Sequence, residues 1–247
     1  MRNLLKKLSM IIDDSFFNDV KFFLKFLSEH YLLPNAGNKE KLKIESKNDN
    51  SKVTQYDLIL EEELIKFFNK KGFYNIISEE TNNSITNYNS YLTIDPIDGT
   101  KNFIDGIHKY VIMISCIEKN TSIFSIIYNP SNDNFYHCYM GKLFKNFKVM
   151  KNYVYSSLTG YLNSNAKTYY KNTINSYNEI PRSRSIGYDI IEIIEGHRSL
   201  ISFYKCKIWD LFPALTFLLN LNFSHNSPDI DFSLNTLDKG LIFYAKI

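Results

Sequence analysis

The sequence predicts a layered α/β sandwich. Three observations point there: apolar stripes of helical period lie toward both ends of the chain, short apolar strands fill its middle, and no strict βαβ alternation joins them. At 247 residues the chain is long enough for one large domain or two fused halves sharing a core.

The first stripe covers residues 3 to about 31, where Leu4, Leu5, Leu8, Ile12, Phe16, Val20, Phe23 and Leu27 fall three or four apart. Pro34 and Gly37 end it, and a lysine-rich loop follows. A second helix is expected from Thr54, with Leu58, Ile65 and Phe68 on its buried face and Glu61, Glu62 and Glu63 between them. From Tyr91 the pattern changes to strands: YLTI, then YVIMISCIE and SIFSIIYNP, with NPSNDN supplying turn residues before FYHCYM. Ile190 to Ile194 read as a helix that Gly196 stops. The segment LFPALTFLLNL reads as another helix starting just after Asp210, its proline in the first turn, where a missing N–H is tolerated.

Composition narrows the function. Hydrophobic residues make up 44% and charged residues 22%, ordinary for a soluble globular protein. Phe 19 and Tyr 18 against only 9 glycines fit the codon bias of an AT-rich genome better than a special function. Net charge is +3, from 29 Lys+Arg against 26 Asp+Glu, too balanced for a nucleic-acid surface. The three cysteines, Cys116, Cys138 and Cys206, are far apart and odd in number, so they suggest neither a disulfide framework nor a metal clip and fit a reducing cytoplasm. The N-terminus is interrupted by Lys6, Lys7, Asp13 and Asp14 and lacks a signal-peptide core; no run approaches the ~20 apolar residues of a membrane span.

The segment that carries chemistry is IDPIDGTKNF, residues 94 to 103. A strand delivers Asp95, Pro96 fixes the backbone, and Asp98 follows three residues later. Two carboxylates on a tight loop offer hard oxygen ligands of the kind Mg²⁺ prefers. Gly99 and Thr100 then open a short helix, whose free N–H groups suit a phosphate. A plain turn with Asp98 as helix N-cap would use the same residues.

The complete string DPIDGTKNF resembles the signature of the inositol monophosphatase family, and further family segments follow in order. ISEET contains the adjacent pair Glu79 and Glu80, KNDNSKVTQYD supplies Lys47, Thr54 and Asp57, and KIWDLFPA supplies Asp210. IIYNP, residues 126 to 130, also matches, so the resemblance runs from about Lys47 to Leu219. A haloacid-dehalogenase-type Asp-x-Asp-Gly-Thr motif is the competing reading. Here, however, two residues separate the aspartates, and the motif lies mid-chain behind a helical region.

The resemblance implies the α-β-α-β-α sandwich of the inositol monophosphatase and fructose-1,6-bisphosphatase type. It divides into an N-terminal α+β half (1–139) with the metal-binding loop and a C-terminal α/β half (140–247) that completes the site. It implies a Mg²⁺-dependent phosphomonoesterase for a small soluble phosphate ester. One ion would lie at Glu79, Asp95 and the Ile97 carbonyl, a second at Asp95, Asp98 and Asp210. Glu79 and Thr100, the latter oriented by Asp57, would act on the attacking water. Asp98, Gly99, Thr100, Ser185 and Asp210 would meet substrate. By analogy the family also implies a cytoplasmic homodimer, and some bacterial relatives add a role with the transcription machinery.

The chain departs from the family where substrate is chosen. Seven residues beyond Gly196, the sugar-recognising Glu of inositol phosphatases is replaced by Phe203, and the Gly-Ser/Thr-Ala segment by Arg184-Ser185-Ile186. An aromatic rim at Phe203 or Tyr204, with Arg184, Lys205 and Lys207 nearby, would favour histidinol phosphate or adenosine 3′,5′-bisphosphate over inositol 1-phosphate.

Overall fold

The computed structural model describes residues 12–81, 89–151, 153–164, 176–227, 230–233 and 240–246. Helix α1 (Asp14–Leu27) begins where the Asp13 carboxylate accepts the Phe16 N–H at 2.9 Å, an N-cap. It buries Phe16, Phe17, Val20, Leu24 and Leu27, the expected stripe; Leu4, Leu5 and Leu8 lie outside the described residues. One π-helical turn, Ser28–Leu32, continues it. The hairpin of β1 (Ile44–Ser46) and β2 (Lys52–Thr54) leads into α2 (Gln55–Lys70), opened by a capping box between Thr54 and Asp57. The buried face of α2 is Asp57, Leu60, Glu61, Leu64 and Phe68, so the expected face is rotated: Leu58 is 50% exposed while Glu61 is buried. Turning Asp57 inward to its partners sets that rotation.

A seven-stranded sheet runs in chain order through β3 (Ile76–Ser78), β4 (Ser90–Asp98), β5 (Val111–Glu118), β6 (Thr121–Asn129), β7 (Asn134–Tyr139), β8 (Lys142–Lys145) and β9 (Lys148–Val149). It is antiparallel except for the parallel pair β3 and β4. Short helix α3 (Thr100–Asp105) follows β4 directly. A five-stranded sheet is ordered β11 (Asn178–Glu179), β10 (Thr159–Gly160), β12 (Leu200–Phe203), β14 (Leu241–Tyr244), β13 (Ser224–His225). Between the sheets lie α4 (Ile186–Ile194) and α5 (Ile208–Asn220).

Strand alternation assigns the layers. Leu92, Ile94, Ile112, Ile114 and Ile126 pack against α1 and α2, while Tyr91, Val111, Met113 and Ile127 pack against α4 and α5. Ile201, Phe203, Leu241 and Phe243 close that second core from the other sheet, whose far face carries Leu162, Leu200 and Ile242. The described residues therefore stack helix, sheet, helix, sheet. Helix α5 starts at Ile208, two residues before Asp210, so Pro213 falls in its second turn and leaves the Trp209 carbonyl without its helical donor. The reason is that Lys207 takes the N-cap and accepts the N–H groups of Asp210 and Leu211 at 3.2 and 2.9 Å.

Candidate metal and phosphate site

Strand β4 pairs Asp95 with Met113 and Asp98 with Val111, and the register shifts between them. Regular alternation would send residues three apart to opposite faces; the irregularity lets both carboxylates turn to one cleft. Helix α5 brings Asp210 to the same place. Carboxylate oxygens of Asp95, Asp98 and Asp210 all lie within 4.8 Å of one another. Glu79, Ile97, Thr100 and Lys101 line the cleft with them.

Asp98 is held by the start of α4. Its Oδ2 accepts the Ser185 hydroxyl at 2.7 Å and the Gly187 N–H at 2.5 Å, and its Oδ1 accepts the Ile186 N–H at 3.2 Å. Only Oδ1 keeps a free lone pair for a cation. A Cβ on Gly187 would stand 2.5 Å from Val111 Cγ2 and 2.7 Å from Met113 Sδ, so only glycine lets this N–H approach. Gly99, at φ +95°, is likewise fixed by contact: an added Cβ would meet the Lys109 carbonyl and Ser185 Cβ at 3.0 Å.

Asp57 is fully buried and serves two elements. Its Oδ2 accepts the Thr54 N–H and hydroxyl at 2.7 and 2.6 Å, closing the cap of α2. Its Oδ1 lies 2.9 Å from Thr100 Oγ1, which also lies 3.0 Å from the Ile97 carbonyl, so one hydroxyl proton is shared between two acceptors. Lys47 Nζ bridges Glu79 and Glu80, 2.7 Å from an oxygen of each.

Burial dominates the titration of these groups. It pushes Asp210 up to about 8, helped by the Asp98 charge, and Asp98 to about 6 against the pull of its three donors. Burial, then Glu79, Asp210 and Asp98, hold Asp95 well above the usual carboxylate range. Asp57 rises to about 6 and Glu80 to about 7, both by burial, against the hydrogen bonds of Thr54 and Lys47 respectively. Lys47 is pulled down by burial, yet its bonds to Glu79 and Glu80 hold it above its ordinary value.

The structure thus brings together Asp95, Asp98 and Asp210, with Thr100 and Asp57 beside them. Glu79 lines the cleft, but its carboxylate is engaged by Lys47 and stands outside the three-carboxylate group. Two expectations are corrected. Ser185 is buried behind Asp98, its hydroxyl bonded to that carboxylate and to the Tyr188 N–H, so it positions the Asp98 side chain and does not line the cleft. Phe203 is 2% exposed and packs edge-on against Phe243 in the core, so it forms no rim; its neighbour Tyr204 is 44% exposed. The sequence reading missed Gly187 and Ser183. Small residues at 183, 185 and 187, just before an apolar helical stripe, were the available signal.

The sequence model of the inositol monophosphatase family matches residues 24–218. The chain belongs to that family. Inositol monophosphatase family relatives at the sequence level include a fructose-1,6-bisphosphatase/inositol-1-monophosphatase of Methanocaldococcus jannaschii, 30% identical over 46% of this chain and 45% of that one. A 3′(2′),5′-bisphosphate nucleotidase of Haemophilus influenzae is 32% identical over 44% of this chain and 43% of its own. The chain matches less than half the length of these curated relatives. Its fold is that of the Thermotoga maritima IMPase, at a TM-score of 0.71 with 20% identity over 92% of each chain. It is equally that of the extragenic suppressor protein SuhB of Bartonella henselae, at 0.73 with 19% identity over 88% and 89%. Within the described residues no helix is long and apolar enough to cross a membrane.

Proposed function

We propose that this member of the family is a Mg²⁺-dependent phosphomonoesterase acting on a small soluble phosphate ester. The observation that carries the reading is the convergence of Asp95, Asp98 and Asp210 within 4.8 Å beside the Thr100–Asp57 hydrogen bond. The donor set fits the ion: it is all hard oxygen, and its carboxylates are crowded enough to be driven toward protonation, a strain that a divalent cation relieves. Asp95, Asp98 and Asp210 would hold one ion, and Asp95 with Glu79 and the Ile97 carbonyl a second. Bound there, Mg²⁺ supplies an acidified water and neutralises charge on the phosphoryl group.

The chain's own residues divide the remaining work. Asp57 fixes the Thr100 hydroxyl, which with Glu79 orients the attacking water or takes its proton. Gly99 and Thr100 offer N–H groups to the phosphoryl oxygens. Asp98, spending three donor contacts on α4, presents one oxygen in a fixed direction.

Inositol 1-phosphate, histidinol phosphate, adenosine 3′,5′-bisphosphate and the bisphosphates named for the relatives are the candidate esters. Halves at 1–139 and 140–247, a cytoplasmic location, homodimerisation and an added role with the transcription machinery stand as further parts of this reading. Phosphate release measured across these esters with Mg²⁺ tests it: activity is expected for at least one and is abolished by excess EDTA. Undiminished release in EDTA would overturn the metal assignment.

A further inference from the structure

Helix α2 turns two carboxylates inward, Asp57 and Glu61, four residues and so about one turn apart. Asp57 takes hold of Thr100 at the cleft. Glu61 is as deeply buried, at 1% exposure, and reaches the segment that follows β3. Its Oε2 accepts the Glu80 N–H at 2.8 Å. That is the carboxylate's one hydrogen bond among the described residues, and its Oε1 is buried with no partner.

The acceptor stands where the chain leaves the sheet. Glu79 is the last residue whose N–H stays with β4, donating to the Ile94 carbonyl at 3.2 Å, one residue before Asp95. The next N–H, that of Glu80, meets Glu61 instead of a strand. Both N–H groups that flank the Glu79 α-carbon are thereby anchored, one to β4 and one to α2. This fixes the backbone from which Glu79 enters the cleft that Asp95 also lines. Thr100 and Glu79 thus hang on successive turns of one helix. A buried carboxylate with a single neutral donor is a poor device for packing alone, because its unpaired oxygen is desolvated without return and a leucine on this face would pack without that cost. What the acceptor adds is direction, and a misplacement of about 1 Å near a reacting centre can cost about 10²-fold in rate.

We propose that Glu61 is a positioning residue for the reaction of this cleft: its Oε2 holds the 79–80 peptide so that the Glu79 carboxylate faces the cleft beside Asp95. The proposal rests on the two-metal phosphatase reading, in which Glu79 serves one ion and the attacking water. The role requires the reach of the side chain and not its charge, since the donor is a neutral N–H and any oxygen at that place accepts it.

The test is a pair of variants of the full chain that separate reach from charge. Glu61→Gln keeps an acceptor oxygen at the same reach and removes the charge. Glu61→Asp keeps the charge and withdraws the oxygen by one methylene. Phosphate release is measured across the candidate esters, and Mg²⁺ binding by calorimetry. Glu61→Gln is expected within about threefold of the wild-type kcat, and Glu61→Asp about tenfold or more below it with KM changed less than about threefold. Glu61→Asp is also expected to weaken one of the two Mg²⁺ binding events and to leave the other as in the wild type, which a general loss of structure would not do. Wild-type kcat in Glu61→Asp overturns the assignment, as does a Glu61→Gln that falls as far as Glu61→Asp. Loss of both Mg²⁺ events together in Glu61→Asp, by unfolding or otherwise, also overturns it. A wild type that binds Mg²⁺ without releasing phosphate would count against the phosphatase reading alone, because calorimetry still reports on the ion at Glu79; a wild type that binds no Mg²⁺ overturns both.

Discussion

Asp98 and Asp210 enter one cleft from two sides, and the protein holds them in different ways. Asp98 receives a hydroxyl and two backbone N–H groups from the start of α4 and settles at about 6. Asp210 stands in the first turn of α5, where the helix dipole favours a negative charge by about 0.3–1 kcal/mol, less than one pKa unit. Burial and the Asp98 charge outweigh that and carry it to about 8. Its side-chain partner is Asp95, another carboxylate. The α4 corner is thus organised by the protein alone, whereas on the proposed metal reading the α5 corner would be completed by an ion.

The largest expected effect comes from breaking the shared member. Asp95→Asn should reduce phosphate release by more than about 10³-fold, because the carboxylate common to both corners is lost. It should leave the metal-free fold intact, since one of the crowded carboxylates is neutralised. Retention of most of kcat would show that the two corners do not depend on Asp95.

The organised corner is tested by Gly187→Ala. A methyl group forced against Val111 and Met113 should destabilise the fold by about 1–3 kcal/mol in urea denaturation. It should also push the N–H away from Asp98 and weaken Mg²⁺ binding. Asp210→Ala should weaken Mg²⁺ binding without that loss of metal-free stability. If Gly187→Ala matches wild type in urea, the close approach is not what orders Asp98.

The smallest effect separates the corners by pH. Both carboxylates bind protons more tightly in the folded chain than in the unfolded one, so stability falls as pH rises from the unfolded value through the folded one. In metal-free buffer Tm should therefore decline between about pH 4 and 8. Asp98→Asn should flatten mainly the stretch up to about 6, and Asp210→Asn the stretch up to about 8. Saturating Mg²⁺ should reverse the trend, because it binds the ionised forms. A metal-free Tm that rises over this range would contradict the burial argument.

Much of the site was legible in the sequence because its residues are consecutive or short-range: Asp95, Asp98, Gly99 and Thr100 share one segment, and Thr54 with Asp57 forms a local cap. What escaped depends on faces and distances that a linear pattern does not carry. Leu58 and Glu61 exchanged places because a buried Asp57 rotated α2, against the ranking of their hydrophobicity. Counting to Phe203 could not give its direction, since strand parity decides whether a ring meets the core or the cleft. Ser185 looked like a substrate contact because nothing in its neighbours shows that Asp98 reaches it from 87 residues away.

The irregular step in β4 has a consequence for how the chain tolerates change. Pro96 and Ile97 drop out of the pairing with β5, so the Ile97 carbonyl is addressed by Thr100 instead of a neighbouring strand. The side chain of the same residue stays 1% exposed in the core beneath α1 and α2. One residue thus holds two posts, with its oxygen on the Thr100 hydroxyl and its hydrocarbon in the packing. A main-chain oxygen cannot be removed by substitution, so valine or leucine at this position would alter stability and leave the oxygen in place.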